Sequence, residues 1–199
     1  MSKLTIYTKK TLSKYIRTRA GESKLGEHVQ TLSSKNIEEG LQASSATFVL
    51  LGLPEDIGVR ANYGRGGTHT AWEPALTNIL NVQSNAFLNG NEILVLGHIN
   101  FDDLMQHSIK LDSNTKTGIQ QLRKLCAEVD ERVVPIIQKI VSAGKIPLIV
   151  GGGHNNSYGN IKGAALGLKT SKRKKATINC INCDAHSDFR PLEGRHSGN

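Results

Sequence analysis

Four short apolar runs stand out along an otherwise polar chain. They are rich in aliphatic and β-branched residues and cover residues 46–53, 92–96, 146–150 and 177–182. Continuous apolar character, without alternating polar residues, is typical of strands that are buried on both faces of a parallel sheet. The pattern therefore predicts four parallel strands, separated by segments long enough to carry helices.

A helical period fills much of the interval between the second and third runs. Pro135 lies inside this pattern and, because it removes one backbone donor, we expect it to kink or divide the helix. Gly144 is placed as a stop signal. Strands that alternate with helices predict a three-layer α/β/α fold with a mostly parallel sheet. The apolar positions recur at spacings of three and four and define one helix face: Ile119, Leu122, Cys126, Val129, Val133, Ile136 and Ile140.

The first 44 residues do not follow this alternation. We expect an N-terminal extension over 1–44 and the α/β domain over 45–199. No apolar run approaches the roughly 20 residues of a membrane helix, and the N-terminus lacks the apolar core of a secretory signal. We therefore expect a cytoplasmic protein with no membrane partner.

Cysteine usage agrees with a reducing compartment. Cys126, Cys180 and Cys183 are too few and too unevenly spaced for a disulfide framework, so we expect free thiols. Cys180 and Cys183 form a C-x-x-C pair without a second pair to complete a structural zinc site. We expect them to be small packing residues of the fourth strand.

The net charge of +8 raises the question of nucleic-acid binding through phosphate contacts. Basic residues concentrate in the first forty positions and in 169–175, with no interleaved aromatic residues and no recognisable binding fold. This distribution favours a solvated loop, and we expect no nucleic-acid partner. A nucleic-acid binder stays the lowest-ranked alternative, and it would lose affinity steeply as salt increases.

The candidate chemistry follows two of the predicted strands. Asp184, His186 and Asp188 come after the fourth strand at alternate positions, so in an extended segment their side chains project to one side. Three glycines end the third strand and bring His154 just beyond its carboxyl end, the edge at which open α/β sheets bind ligands. Alone, His154 would more often be a capping residue, and the Asp-x-His-x-Asp run could lie in a solvated loop.

Together these residues offer two imidazoles and two carboxylates without a thiolate. This donor set suits Mn²⁺, Zn²⁺ or Fe²⁺, and its oxygen content favours Mn²⁺. Asp184 is central in the run and is placed to bridge two ions. Two-metal sites generate a hydroxide near neutral pH, so hydrolysis is the expected chemistry.

The segments GGGHNNSYGN and NCDAHSDFRP resemble the first two metal motifs of the ureohydrolases, the superfamily of arginases, agmatinases and formimidoylglutamases. Residues 51–58, followed by Gly-Arg-Gly-Gly at 64–67, resemble the first strand and glycine-rich turn of the same family. The resemblance covers residues 45–199. It implies an arginase-like fold and a binuclear manganese enzyme that hydrolyses a C–N bond of a linear amidine or guanidine.

The resemblance also implies roles for individual residues. His154, Asp184 and Asp188 would hold one manganese ion, and His186 with the bridging Asp184 would hold the other. A hydroxide between the ions would attack the amidine carbon, and Asp188 would pass a proton to the leaving amine. His186 and Asp188 are therefore the expected catalytic residues.

The residues that the resemblance assigns to substrate binding lie among the last ten of the chain. Arg190 and Ser197 match positions that hold the substrate carboxylate in arginases, and the ending Ser197-Gly-Asn199 matches a substrate-binding segment. Arg190 stands where arginases have Asn, and a guanidinium is a strong bidentate partner for a carboxylate. This favours an acidic substrate. The ending at residues 195–199 and the Pro-Glu-Asp-Ile-Gly-Val-Arg-Ala-Asn block look most like formimidoylglutamase-type members, which convert N-formimidoyl-L-glutamate to glutamate and formamide.

Several alternatives stay open at this point. They are an arginase- or agmatinase-type guanidine hydrolase, a catalytically inactive ureohydrolase-like binding protein, and a metallophosphoesterase, whose later Gly-Asn-His motif is absent. The family also has an Asp-x-Asp motif on a later strand, which this sequence does not contain. We therefore expect an N-terminal portion of a homo-oligomeric enzyme, and an isolated chain that binds manganese weakly and is inactive.

Overall fold

The computed structural model describes residues 3–169 and 177–183. Its centre is a four-stranded sheet in the order β1-β3-β2-β4. The strands are β1 (Leu4–Ile6), β2 (Phe48–Leu53), β3 (Ile93–Ile99) and β4 (Ile146–Gly151). β2 pairs in parallel with both β3 and β4, whereas β1 pairs antiparallel with β3. The first three predicted strands are thus confirmed, with ends that differ by a few residues.

Eight α-helices flank this sheet in the described part of the chain. One layer contains α3, α4, α6 and α7, and the opposite layer contains α1, α2 and α5. α8 packs against α7. The three-layer α/β/α prediction is confirmed. The bounds are α1 (Lys9–Leu12), α2 (Leu25–His28), α3 (Ile37–Ala43), α4 (Ile57–Ala61), α5 (Trp72–Leu80), α6 (Asp102–Ile109), α7 (Lys116–Ser142) and α8 (Asn156–Gly167).

The two layers explain why β2 is apolar at every position. Val49 and Leu51 belong to the larger hydrophobic core beneath α7, whereas Leu50 belongs to the core beneath α5. Side chains alternate between the two faces of a strand, so both faces require apolar residues when helices cover both. The same alternation assigns Leu94 of β3 to the first core and Val95 to the second.

The long helix α7 runs through Pro135 without interruption. Division of the helix, one of the two expected effects of Pro135, therefore does not occur. Proline removes a single backbone hydrogen bond, and the buried apolar face that extends from Ile119 to Ile140 holds the helix together on both sides of it. The helix ends at Ser142, and Gly144 adopts a positive φ of 74° just beyond it, as the stop signal predicted.

The predicted fourth strand is not formed. Residues 177–183 have no regular secondary structure, and Ile181 is 96 % exposed. An apolar run becomes a strand only when its backbone groups pair with a neighbour, and within the described residues β4 pairs only with β2. Cys180 and Cys183 are exposed, so their expected packing role is also wrong, although all three cysteines are free thiols as predicted.

The N-terminal residues contribute directly to the sheet. β1 lies beside β3, and Tyr7 and Leu12 are buried in the core beneath α5. The family resemblance did not extend to these residues, and their apolar positions are too few to show a period. No helix in the described ranges has the length and apolar character needed to cross a membrane.

Candidate active site

His154 lies at the carboxyl edge of the parallel strands. β4 ends at Gly151, α8 begins at Asn156, and His154 occupies the exposed turn between them. This is the placement that the glycine run predicted. Ligands of open α/β sheets bind at this edge, so the position of His154 suits a residue that binds a metal ion or contacts a substrate.

The other predicted site residues lie outside the described ranges. Within residues 3–169 and 177–183, no three His, Cys, Asp or Glu side chains gather closely enough to hold a metal ion. Their metal, catalytic and substrate-binding roles therefore stay predictions. They are Asp184, His186, Asp188, Arg190, Ser197 and Asn199.

A buried carboxylate, Glu55, holds the turn that carries His154. Its Oε1 accepts hydrogen bonds from Asn156 Nδ2 at 2.6 Å and from the Gly153 N–H at 3.4 Å. Its Oε2 accepts the Ile57 N–H at 2.7 Å. Glu55 follows β2 and the turn follows β4, so one side chain joins the carboxyl ends of two adjacent strands.

The glycines of the turn allow this close approach. A Cβ atom at Gly152 would lie 1.7 Å from the carbonyl oxygen of Glu55, and one at Gly153 would lie 2.1 Å from Asn155 Oδ1. No side chain fits at either distance. The close contacts explain the glycines at 152 and 153, in agreement with the tight backbone path expected from the sequence, whereas a Cβ atom at Gly151 would meet only the side chain of Asn156, with Nδ2 nearest at 3.5 Å.

Burial raises the pKa of Glu55, while the hydrogen bonds from Ile57 and Asn156 act in the opposite direction. A carboxyl group without exposed surface is costly unless donors surround it, and the turn supplies those donors. Sequence reasoning missed this residue. Its signal was a pair of acidic residues, Glu55 and Asp56, immediately after an apolar strand and a proline.

Asp56 holds the glycine-rich loop that follows β2 at the carboxyl edge of the sheet. It is 3 % exposed, and its Oδ2 accepts the Gly67 N–H at 2.7 Å. The same oxygen lies 2.6 Å from His69 Nδ1. His69 belongs to a short 3₁₀ helix (Thr68–Ala71) that packs against β4. The glycine-rich turn at 64–67 is thereby folded back onto the end of β2.

Comparison with known proteins agrees with the motifs and the fold. The family model described as the arginase family matches residues 46–199. The chain belongs to the arginase family. No solved structure gives a significant match.

The curated relatives of this arginase-family chain include several formimidoylglutamases. The protein of Streptococcus gordonii is 28 % identical over 153 residues, which is 76 % of this chain and 39 % of the relative. That of Clostridium tetani is 29 % identical over 144 residues, 72 % of this chain and 36 % of the relative. That of Streptococcus pyogenes serotype M3 is 28 % identical over 153 residues. The chain thus spans about two fifths of the length of these relatives.

Proposed function

We propose that the arginase-family protein represented by this chain hydrolyses N-formimidoyl-L-glutamate to glutamate and formamide. The observation that carries the proposal is the similarity to formimidoylglutamases across about three quarters of the chain. The matched region includes His154 and the Glu55-supported turn beneath it. Arginase- or agmatinase-type activity is the alternative within the same family.

The proposed cofactor is a pair of manganese ions, for which this chain would supply part of the ligand set. His154 would supply an imidazole from a turn that Glu55 fixes, and Asp184, His186 and Asp188 would supply the remaining donors of this chain. Imidazole and carboxylate donors without a thiolate suit Mn²⁺. When bound, the pair of ions supplies a nucleophile from water near neutral pH.

The protein side chains would have three further roles: metal bridging, proton transfer and substrate binding. Asp184 would bridge the two metal positions, and Asp188 would deliver a proton to the amine nitrogen as the C–N bond breaks. Arg190, with Ser197 and Asn199, would orient the substrate carboxylate. Arg190 is well suited to this because a guanidinium forms two parallel hydrogen bonds with a carboxylate.

Metal analysis of two variants in the complete protein tests the site. Asp184→Ala is expected to lose both manganese ions, whereas His154→Ala is expected to weaken mainly one, because in the proposed site only Asp184 would bridge the two ions. Retention of two ions by Asp184→Ala would contradict the assignment.

Substrate identity is tested separately by measuring formamide and glutamate release, with arginine and agmatine as comparison substrates. Arg190→Ala should retain metal and lose about 10- to 150-fold in kcat/KM, the effect of one charge-assisted hydrogen bond. Faster hydrolysis of arginine or agmatine than of formimidoylglutamate would support the alternative activity.

A further inference from the structure

The strongest feature that the proposed chemistry leaves unused is the pair formed by His69 and Asp56. A carboxylate can only accept hydrogen bonds, so the 2.6 Å contact places the hydrogen of His69 on Nδ1. This fixes both the ring orientation and the identity of the other nitrogen, Nε2, as the atom left for a partner. The His69 side chain is 44 % exposed, whereas that of Asp56 is 4 % exposed. The buried Asp56 carboxylate therefore holds one side of the His69 ring, while the ring itself is partly exposed to solvent.

The position of the pair relative to the carboxyl edge of the sheet follows from one chain connection and two contacts. Asp56 is adjacent in sequence to Glu55, whose carboxylate holds the Gly153 N–H beside His154. The helix that contains His69 packs against β4, the strand that leads to His154. His69 therefore lies on a rim at the carboxyl ends of β2 and β4, where a ligand of this edge would extend.

The loop that carries His69 offers donors suited to an anionic group. Both nitrogens of an imidazolium are donors, so with Nδ1–H directed at Asp56 an Nε2–H group would be available to an anionic partner. Arg65 is exposed in the same glycine-rich loop. Arg60 is not available for this purpose, because its guanidinium donates to the Ser108 hydroxyl at 3.0 Å and to the Leu111 carbonyl at 3.2 Å.

We propose that His69, oriented by Asp56, is a substrate-binding residue that donates an Nε2–H hydrogen bond to a carboxylate of the substrate. This inference rests on the proposed function for the identity of the substrate, an N-substituted glutamate. It adds a specificity residue contributed by the loop after β2. In this role His69 binds and orients the substrate and makes no bond to the reacting carbon.

Two amide substitutions separate this role from simple anchoring of the loop. In His69→Asn the amide nitrogen can replace Nδ1 and keep the contact with Asp56, but the outward donor is lost. In His69→Gln the amide nitrogen can instead reach the position of Nε2. A substrate-binding role predicts that Asn is the more harmful substitution, whereas an anchoring role predicts that Gln is.

Calorimetric titration of the metal-loaded complete protein with L-glutamate provides a measurement that does not depend on turnover. Glutamate affinity should fall by about 10- to 150-fold in His69→Asn, as expected for loss of one charge-assisted hydrogen bond, and by less in His69→Gln. For formimidoylglutamate the change should appear mainly in KM. An N-alkylformamidine without a carboxylate should react at the same rate with His69→Asn and the unsubstituted protein.

Equal glutamate affinity in His69→Asn and the unsubstituted protein, or no measurable glutamate binding in the latter, would overturn the proposal. The same holds if His69→Gln is the more damaged variant. Failure of the proposed function is distinguishable from these results. A protein that binds glutamate through His69 but releases no formamide from formimidoylglutamate would refute the activity and retain the carboxylate-binding role.

Discussion

At the scale of single residues, Glu55 connects the fold to the candidate metal ligand. Its carboxylate contacts Gly153 and Asn156, on either side of the pair His154-Asn155. Supporting groups of this kind set the orientation of a ligand and affect metal affinity without touching the metal. The contact with Asn156 spans 101 positions in the chain, so no local pattern around either residue indicates it.

Substitution of Glu55 tests this support. Glu55→Ala removes the acceptor of several buried donors, each of which costs about 1–3 kcal/mol when left unpaired. We expect the free energy of unfolding of the metal-free protein to fall by about 2–5 kcal/mol, and Mn²⁺ affinity at His154 to fall as well. Urea unfolding and calorimetric titration with Mn²⁺ measure the two effects.

Glu92 provides a matched control because it is an exposed glutamate in the short helix that precedes β3. Glu92→Ala is expected to change stability by less than about 0.5 kcal/mol. Glu55→Gln should fall between the two, since the amide keeps one acceptor but presents donors to the surrounding N–H groups. A stability equal to that of the unsubstituted protein in Glu55→Ala would show that the turn does not depend on this carboxylate.

At the scale of elements, the contact between α7 and α8 depends on a row of glycines. Gly159, Gly163 and Gly167 lie four residues apart on the face of α8 that meets α7. A Cβ atom at Gly163 would lie 2.7 Å from Ile137 Cβ and 2.8 Å from the Val134 carbonyl oxygen. These atoms belong to, or adjoin, the backbone of α7 and cannot move aside as a side-chain tip can. The two helices therefore pack closely because α8 has no side chains along this row.

Gly163→Ala is expected to destabilise the protein, even though alanine favours helix formation by about 1 kcal/mol over glycine. Forcing α8 away from α7 should cost about 1–3 kcal/mol and exceed that gain. The measurement is the midpoint of thermal or urea unfolding. An unchanged or higher stability would mean that the two helices separate at little cost.

Gly40 in α3 is the matched control. A Cβ atom there would meet mainly the terminal methyl group of Leu32, at 2.7 Å, which can rotate away. Gly40→Ala should therefore be neutral or slightly stabilising. A similar loss of stability in both variants would attribute the effect to glycine replacement in general and not to the α7–α8 contact.

At the scale of the whole molecule, a polar network joins the N-terminal segment to the sheet. Tyr7 Oη lies 2.9 Å from His98 Nδ1 and accepts a hydrogen bond from Trp72 Nε1 at 3.1 Å. The three side chains come from the segment after β1, from β3 and from α5. Residues 1–44 were predicted to be an extension, but through Tyr7 they take part in the same core. The domain boundary at residue 45 stays a prediction.

This network makes stability dependent on pH. Burial lowers the pKa of His98 below its ordinary value of 6.5, with smaller opposing effects from Asp102 and Glu73. The unfolded chain therefore binds a proton more readily than the folded one as the pH falls below about 6.5. The stabilising contribution is complete above that pH and is lost on acidification, by at most about 1.4 kcal/mol per pH unit for a single proton.

Urea unfolding between pH 7.5 and 5.5 measures this dependence. His98→Gln should flatten the pH profile relative to the unsubstituted protein, whereas substitution of the exposed His107 by Gln should leave it unchanged. Parallel profiles for His98→Gln and the unsubstituted protein would show that His98 takes up no proton on unfolding in this range.

The sequence alone determined the features that depend on neighbouring residues. The buried strands β2 and β3 and the partly exposed strand β4 follow from continuous apolar runs. The helix α7 follows from the spacing of Ile119 to Ile140. The position of His154 at the carboxyl edge followed from a strand that ends in three glycines. These patterns are local, because burial of a strand or of a helix face selects residue types within a few positions.

Only the tertiary structure decided which distant groups meet. It added β1 to the sheet, left residues 177–183 without a strand partner, and brought Glu55 to Gly153 and Asp56 to His69. The apolar composition of 177–183 indicated only a tendency to form a strand, whereas a strand forms only where its backbone groups pair with a neighbour, and these residues form no such ladder. Likewise, an acidic pair after a strand does not reveal its structural role until the hydrogen-bond donors around it are known. The support of the candidate metal ligand therefore lay in long-range contacts, which a local pattern does not encode.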